Sequence, residues 1–320
     1  HIDYLFSSGS GLQHKHSVGI QGGSSETQYL FSAGYYDKEG IIKKTYNDRY
    51  DLRLNLDSKL SDDFKVSVKL FGYLDNNEQP TSGYGFEGVG GIVRGAMRNA
   101  NAIPGFTEDG YYGRNESLHP EADLNSKNFV HNYASYFYGN TEASWEIVNN
   151  LTLTGQVGYT LSNSQYKGFI SSYRVTPNYG IDLNRLTTSW GKSDALTTQA
   201  LANYSNTFSG HSVSVLGGVS GQQYTYNGIS AYRDDLPSND IHEINAGSTV
   251  RGTQGGSASR HTLASFFGRL NYDCLGKYLL ESNFRYDGSS RFPSGSKFGF
   301  FPSFSAAWRI SEEGFFPQSS

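Results

Sequence analysis

Eight side chains in the longer connecting stretches have the chemistry of a small-molecule site: Tyr84, Phe86, Tyr111, Tyr112, Arg114, Tyr173, Tyr179 and Trp190. Aromatic faces suit the C–H patches of a sugar ring, and polar groups beside them suit its hydroxyl edges. Asn99, Asn101, Asp109 and Asp182 lie near them in sequence and add hydrogen-bonding capacity, and Phe106 adds another ring. For any one of these rings the plain alternative is that it packs its own loop.

Catalysis has no comparable set. No GxSxG, HExxH or phosphate-binding glycine loop is present. The single Cys274 excludes an internal disulfide and a paired-cysteine metal site. His14 and His16, in HKH, share a face if they lie on a strand, and a solvated strand end explains them better than a metal does. "DGSSRFPSG" (287–295) offers oxygens to a cation but lacks an acidic cluster, so it reads as a glycine- and proline-punctuated turn. Asp234, Asp235 and Asp240 read the same way. No cofactor or metal is expected, and the chain does not read as an enzyme.

The elements that must position these residues are strands. Period-two segments lie near 15–22, 28–36, 48–58, 64–74, 135–146, 150–160, 197–208, 211–224, 263–273, 277–287 and 298–310. In "YDLRLNLD", Tyr50, Leu52, Leu54 and Leu56 oppose Asp51, Arg53, Asn55 and Asp57. In 277–287, Tyr278, Leu280, Ser282, Phe284 and Tyr286 oppose Leu279, Glu281, Asn283, Arg285 and Asp287. One stretch breaks the pattern: within 85–101, Val89, Ile92, Val93, Ala96 and Met97 recur at helical spacing, predicting a short helix inside a long loop.

Connections alternate in length. Short ones fall at 23–27, 59–63, 147–149, 209–210 and 274–276, and long ones at 37–47, 75–134, 161–196, 225–262 and 288–297. Loops beyond about 12–15 residues are uncommon in compact domains, so a row of them at one end needs an explanation. An antiparallel up-and-down barrel in an outer membrane supplies it, with short turns at one rim and long loops at the other. The polar face carries Asp51, Arg53, Glu281, Arg285 and Arg309, too much charge for a dry core but acceptable beside a wet lumen. Tyr and Trp near strand ends on the apolar face suit the lipid–water boundary.

Composition agrees. Hydrophobic content is only 36%, yet there are 38 Gly, 24 Tyr and 20 Phe, which suits a wide, wet barrel better than a soluble aliphatic core. No run approaches the ~20 apolar residues of a membrane-crossing helix, but barrel strands need only about 9–11. With a net charge of −4 and no basic stripe, nucleic acid is not an expected partner. The chain starts in mid-pattern at His1 and ends on "FFPQSS", and the expectation is an internal piece of a longer protein.

Several stretches resemble a known family. "GGSSETQYLFSAGYYDKEGI" followed by "RYDLRLNLD", and later "FGRLNYDCLGKYLLESNFRYDGSSRF" and "FGFFPSFSAAWRISEE", are similar to barrel segments of the SusC/RagA-like TonB-dependent outer-membrane transporters. The resemblance covers both ends and most strands, but not the loops at 75–134 and 161–196. It implies a 22-stranded barrel filled by a plug domain, a TonB box engaged from the periplasm, and a SusD-like surface lipoprotein as lid. Oligosaccharide, or sometimes peptide, is the implied substrate. On this reading residues 1–320 are part of one all-β barrel domain, about half of its strands. The plug, the TonB box and the C-terminal strands lie outside the chain. A passive porin or barrel adhesin, and a soluble carbohydrate-binding β protein, share the strand pattern and stay open here.

Overall fold

In a computed structural model, the structure describes residues 2–85, 87–99, 102–113 and 119–316. Eleven strands form one antiparallel meander: β1 (Gln13–Gly23), β2 (Thr27–Glu39), β3 (Tyr46–Lys59), β4 (Phe64–Gln79), β5 (Phe129–Val148), β6 (Leu151–Ile170), β9 (Arg185–Phe208), β10 (His211–Asp234), β11 (Thr253–Cys274), β12 (Tyr278–Ser289) and β13 (Phe298–Trp308). A separate hairpin, β7 (Tyr173–Thr176) and β8 (Tyr179–Ile181), sits between β6 and β9. Three short helices are α1 (Ile2–Phe6), α2 (Val89–Arg98) and α3 (Pro120–Asn125). Every neighbour in the large sheet is also the next of its strands in sequence, which is the predicted up-and-down topology. Among the described residues β1 and β13 each pair on one side only, so the sheet is an open, partial barrel.

The two faces differ as the alternation predicts. Across the strands, Val66, Ala143, Gly155, Ala200, Val219, Phe266, Tyr286 and Phe300 form one row on the outer face. Large apolar side chains on this face lie exposed, among them Leu52, Val157, Val219, Phe284 and Phe304. A belt of exposed apolar surface this broad is what lipid covers and water does not. Near the short-turn rim, Tyr278 and Trp308 stack at 6.4 Å. The Tyr278 hydroxyl donates to Glu313 Oε1 at 2.7 Å and the Trp308 indole N–H to the same oxygen at 3.1 Å. Rings in the greasy layer with polar ends held at its boundary are the expected anchor.

The inner face is polar, and several of its charges are engaged in contacts. Arg49 reaches Asp51 at 2.8 Å and lies 4.0 Å from the Tyr73 ring centroid. Arg285 pairs with Asp287 at 2.9 Å and lies 5.0 Å from the Phe267 centroid.

The strands are longer than the alternation suggested. β9 and β10 run 24 residues each, where about 9–11 cross a bilayer. Of the stretch expected as the loop 161–196, only 171–184 lies between the two sheet strands. Likewise 225–262 contracts to 235–252, 37–47 to 40–45 and 75–134 to 80–128. The reason is physical: beyond the lipid both faces of a strand meet water, so the apolar signal stops while the backbone ladder continues. Asn163, Lys192 and Asn227 occupy the outer face there.

The short turns fix the register. Phe208 pairs with His211 across Ser209–Gly210, both at positive φ (47° and 80°), the two-residue geometry that matches strand twist. A Cβ on Gly210 would also stand 2.4 Å from Leu275 Cδ2. Gly210→Ala is therefore expected to destabilise the sheet by about 1–2 kcal/mol, the usual cost of a side chain in left-handed backbone. A lowered urea midpoint after refolding in detergent would show it, and an unchanged midpoint would refute it.

Candidate functional site: the interlocked loop cap

The connections at the long-loop rim do not splay apart; they interlock. The segment before β1 is tied to the β2–β3 connection by Gly9 N–H to Ile41 O (2.9 Å) and Gly11 N–H to Gly40 O (3.2 Å). Leu5 of α1, Ile42, Ile92 and Ala96 of α2, and Leu124 of α3 bury one another in a small core. The helix predicted within 85–101 is α2. Ile92 and Ala96, four apart, face this core, and Met97 is exposed.

Asparagines staple the remaining loops because one side-chain amide both donates and accepts. Asn128 donates to Thr81 O (3.1 Å) and accepts from Ser171 N–H (2.8 Å). Asn239 donates to Ser172 O (2.8 Å) and accepts from Ser172 N–H (2.9 Å). Asn184 donates to Leu236 O (3.1 Å) and accepts from Leu236 N–H (2.7 Å). Three connections, 80–128, 171–184 and 235–252, are thereby held as one cap.

The expected site residues divide. Tyr112, Tyr173 and Tyr179 pack against Ala122 and Val175 in a second small core beside α3. The Tyr84 and Tyr179 hydroxyls are hydrogen-bonded, which brings four of the candidates together. The Tyr112 hydroxyl accepts from Asn125 Nδ2 at 3.2 Å. Tyr84 and Tyr111 remain exposed, and so does Phe106, whose ring lies 4.8 Å from that of Tyr112. Phe86 and Arg114 lie outside the described residues, as does Asn101. Asp182 pairs with Arg174 at 2.6 Å. Trp190 is a correction. It sits within β9, not on a loop, paired with Ile229 on the outer face and turned away from the inner wall. His14 and His16 share the outer face as expected, their rings 5.3 Å apart, and His14 Nε2 lies 3.5 Å from Asp37.

Sequence reasoning missed Asp123, at the centre of the cap. The residue is 3% exposed. It accepts from Gly83 N–H at 2.9 Å and from the Tyr173 hydroxyl, joining α3 to two other segments. Burial pushes its pKa up to about 6 while the bonds from Tyr173, Gly83 and Ser82 pull it down. Burial, then the carboxylate of Asp123, raises the pKa of Tyr173, so its phenol stays protonated and donates. Burial lowers that of His119, favouring the neutral ring whose Nδ1 accepts from Glu121 N–H at the start of α3. Lys43, Tyr4 and Asn125 form a further polar knot, with Lys43 Nζ reaching both Tyr4 Oη (3.3 Å) and Asn125 Oδ1.

An antiparallel meander, apolar outside, polar inside and capped at one rim, has the pattern of part of the wall of a transmembrane β-barrel. The chain is similar in sequence to proteins named TonB-dependent receptors. It is 26% identical over 310 residues to TonB-dependent receptor P3 of Formosa agariphila, covering 95% of this chain and 31% of that protein. It is 28% identical over 322 residues to TonB-dependent receptor SusC of Bacteroides thetaiotaomicron, covering 94% of this chain and 31% of that one. In fold it matches the RagAB peptide importer in its open-open state with a TM-score of 0.76 at 20% identity, over 94% of this chain and 34% of that one. No protein-family model matches the chain. The chain thus spans under a third of the length of these two named receptors.

Proposed function

We propose that this chain forms part of the wall and the extracellular mouth of an importer in a Gram-negative outer membrane. In this reading the whole protein is energised through TonB, and residues 1–320 belong to a single barrel domain whose plug, TonB box and closing strands lie elsewhere in the full-length protein. The observation that carries the reading is the two-faced sheet with one interlocked rim, in a chain homologous to TonB-dependent receptors along nearly its whole length. Its role is receptor and conduit rather than enzyme.

An oligosaccharide or peptide substrate would first meet the cap, where Tyr84, Tyr111 and Phe106 offer exposed rings and Tyr112, Tyr173 and Tyr179 support them. Phe86 and Arg114 belong to the same proposed contact set. A SusD-like surface lipoprotein is the proposed lid over this face. SusC and the RagAB importer are the relatives that suggest such a system.

The test is uptake. Cells expressing the full-length protein should accumulate fluorescent oligosaccharides or peptides, and a protonophore or loss of TonB should abolish accumulation. Uptake that persists without the proton-motive force would instead make the barrel a passive porin.

A further inference from the structure

Charge on the inner wall is unevenly distributed. On β3 and β4 the inner face carries Arg49, Asp51, Arg53 and Lys69, and on β12 it carries Glu281 and Arg285. Between them, β6, β9 and β10 are adjacent in the sheet. At the cap the inward row of Ile170, Arg185 and Asp234 carries charge. Below it their inward positions run from Thr152 to Gly168, from Thr187 to Thr207 and from Ser212 to Tyr232. Among these described residues there is no Asp, Glu, Lys, Arg or His. Ser, Thr, Gln, Asn, Gly and Tyr predominate. The outer face of the same strands does carry charge, at Lys192 and Asp194, so the neutrality belongs to the inner face and not to the strands as a whole.

The sector also has relief. One cross-strand row reads Tyr136, Ser162, Ser193, Tyr226, and the next reads Tyr138, Thr160, Ala195, Tyr224. Small side chains, three of the four bearing a hydroxyl, thus form a floor between tyrosine rims three strand spacings apart, roughly 14 Å. Tyr226 lies along the wall, over two glycines. A Cβ on Gly228 would stand 2.5 Å from its Oη and 3.0 Å from its Cζ, and one on Gly191 would stand 3.5 Å from Oη and 3.6 Å from Cε2. Gly191 and Gly228 are paired across β9 and β10; Gly228 is required for the ring to lie down, and Gly191 leaves open space beside it. Tyr226 remains 42% exposed in this position, its open side toward the lumen.

We infer that this sector, centred on Tyr226 with the Ser162–Ser193 floor, is a binding site for an uncharged oligosaccharide. The inference rests on the importer reading and adds to it a location on the wall and a ligand class. A ring lying flat offers a stacking face for the C–H side of a sugar, and surrounding hydroxyls and amides exchange hydrogen bonds with its edges. A peptide or a uronate chain brings charges onto a floor that carries none, where the ionisable neighbour is His261 of β11, stacked 4.6 Å from Tyr224 at the rim, and this disfavours both.

The full-length protein, purified in detergent, would be titrated calorimetrically with three pools: neutral malto-, xylo- and manno-oligosaccharides, oligogalacturonates, and tryptic peptides of casein. The neutral pool should bind. Tyr226→Ala, which removes the stacking face, and Ser193→Asp, which places a charge on the floor, should each weaken it about tenfold or more. Tyr226→Phe, which keeps the stacking face, should recover most of the binding that Tyr226→Ala loses, and the outer-face change Thr225→Ala should bind as the parent does. Three results would overturn the site: preference for either charged pool, failure of the neutral pool to bind, or neutral binding indifferent to Tyr226→Ala and Ser193→Asp. Proton-motive-force-dependent uptake of peptides with no neutral-glycan binding would remove the site and leave the importer. Neutral binding that follows Tyr226 in a protein whose uptake ignores the proton-motive force would leave the site and remove the energised importer.

Discussion

Val219→Arg is expected to destabilise the sheet in phospholipid vesicles by about 2–4 kcal/mol, while Ser220→Arg, one residue on, leaves it within about 0.5 kcal/mol. Val219 is 46% exposed and stands in the outer row between Ala200 and Phe266. A guanidinium there must be taken out of water when the barrel inserts, and no carboxylate shares its row to compensate. Ser220 faces inward, between Gln199 and Ser265, where water is the surroundings and a long cation keeps its hydration. The pair is informative because a soluble sandwich predicts the reverse. There a half-exposed valine accepts arginine without loss, and the serine on the face taken as the core does not. Urea titrations of the two variants refolded into vesicles give the answer. Equal midpoints, or a lower one for Ser220→Arg, would mean that the apolar face does not meet lipid.

Legibility in the sequence follows from what lipid does to it. Wherever a strand crosses the greasy layer, alternation was plain: Tyr278, Leu280, Phe284 and Tyr286 stand on one face and Glu281, Asn283, Arg285 and Asp287 on the other, as read. All eleven such segments are strands of one sheet. The same strands continue past the lipid, and there the pattern stops. Residues 185–196 carry Thr188, Lys192 and Asp194 on the outer face, so nothing distinguished them from loop, and Trp190 was placed with the loops for that reason. The turns were readable because their chemistry is local, as Ser209–Gly210 shows. The cap was not, because its order comes from segments far apart in sequence: Asn128 reaches Thr81 and Ser171, and Asn239 reaches Ser172. Candidate tyrosines could be named by type and neighbourhood, but which of them pack and which stay exposed depends on those long-range bonds. The flat pose of Tyr226 had a sequence correlate in Gly191 and Gly228, but pairing those two glycines required the register of β9 against β10.

Asp123 is the residue whose environment depends most on that closure, and it makes the cap sensitive to pH. Burial raises its folded pKa from 3.8 to about 6. A carboxyl with a raised pKa contributes stability in its protonated form, fully present below about pH 4 and lost as pH rises through about 6. A shift of about two units corresponds to about 3 kcal/mol, set against the cap and not the whole sheet. Amide hydrogen exchange in 80–85 and 173–181, corrected for intrinsic rates, should therefore show protection falling between pH 5 and pH 8 in the parent. Asp123→Asn keeps the shape and an oxygen to accept from Gly83 and Tyr173 without a charge to bury. It should hold these segments protected at both pH values. Asp123→Ala leaves both donors buried without that acceptor, at a cost of about 1–3 kcal/mol, and should loosen them at both. Protection in the parent that does not change with pH, or an Asn variant that tracks the parent across the range, would show that the carboxylate is already charged in the closed cap. The hydrogen bonds from Tyr173 and Gly83 would then outweigh its burial.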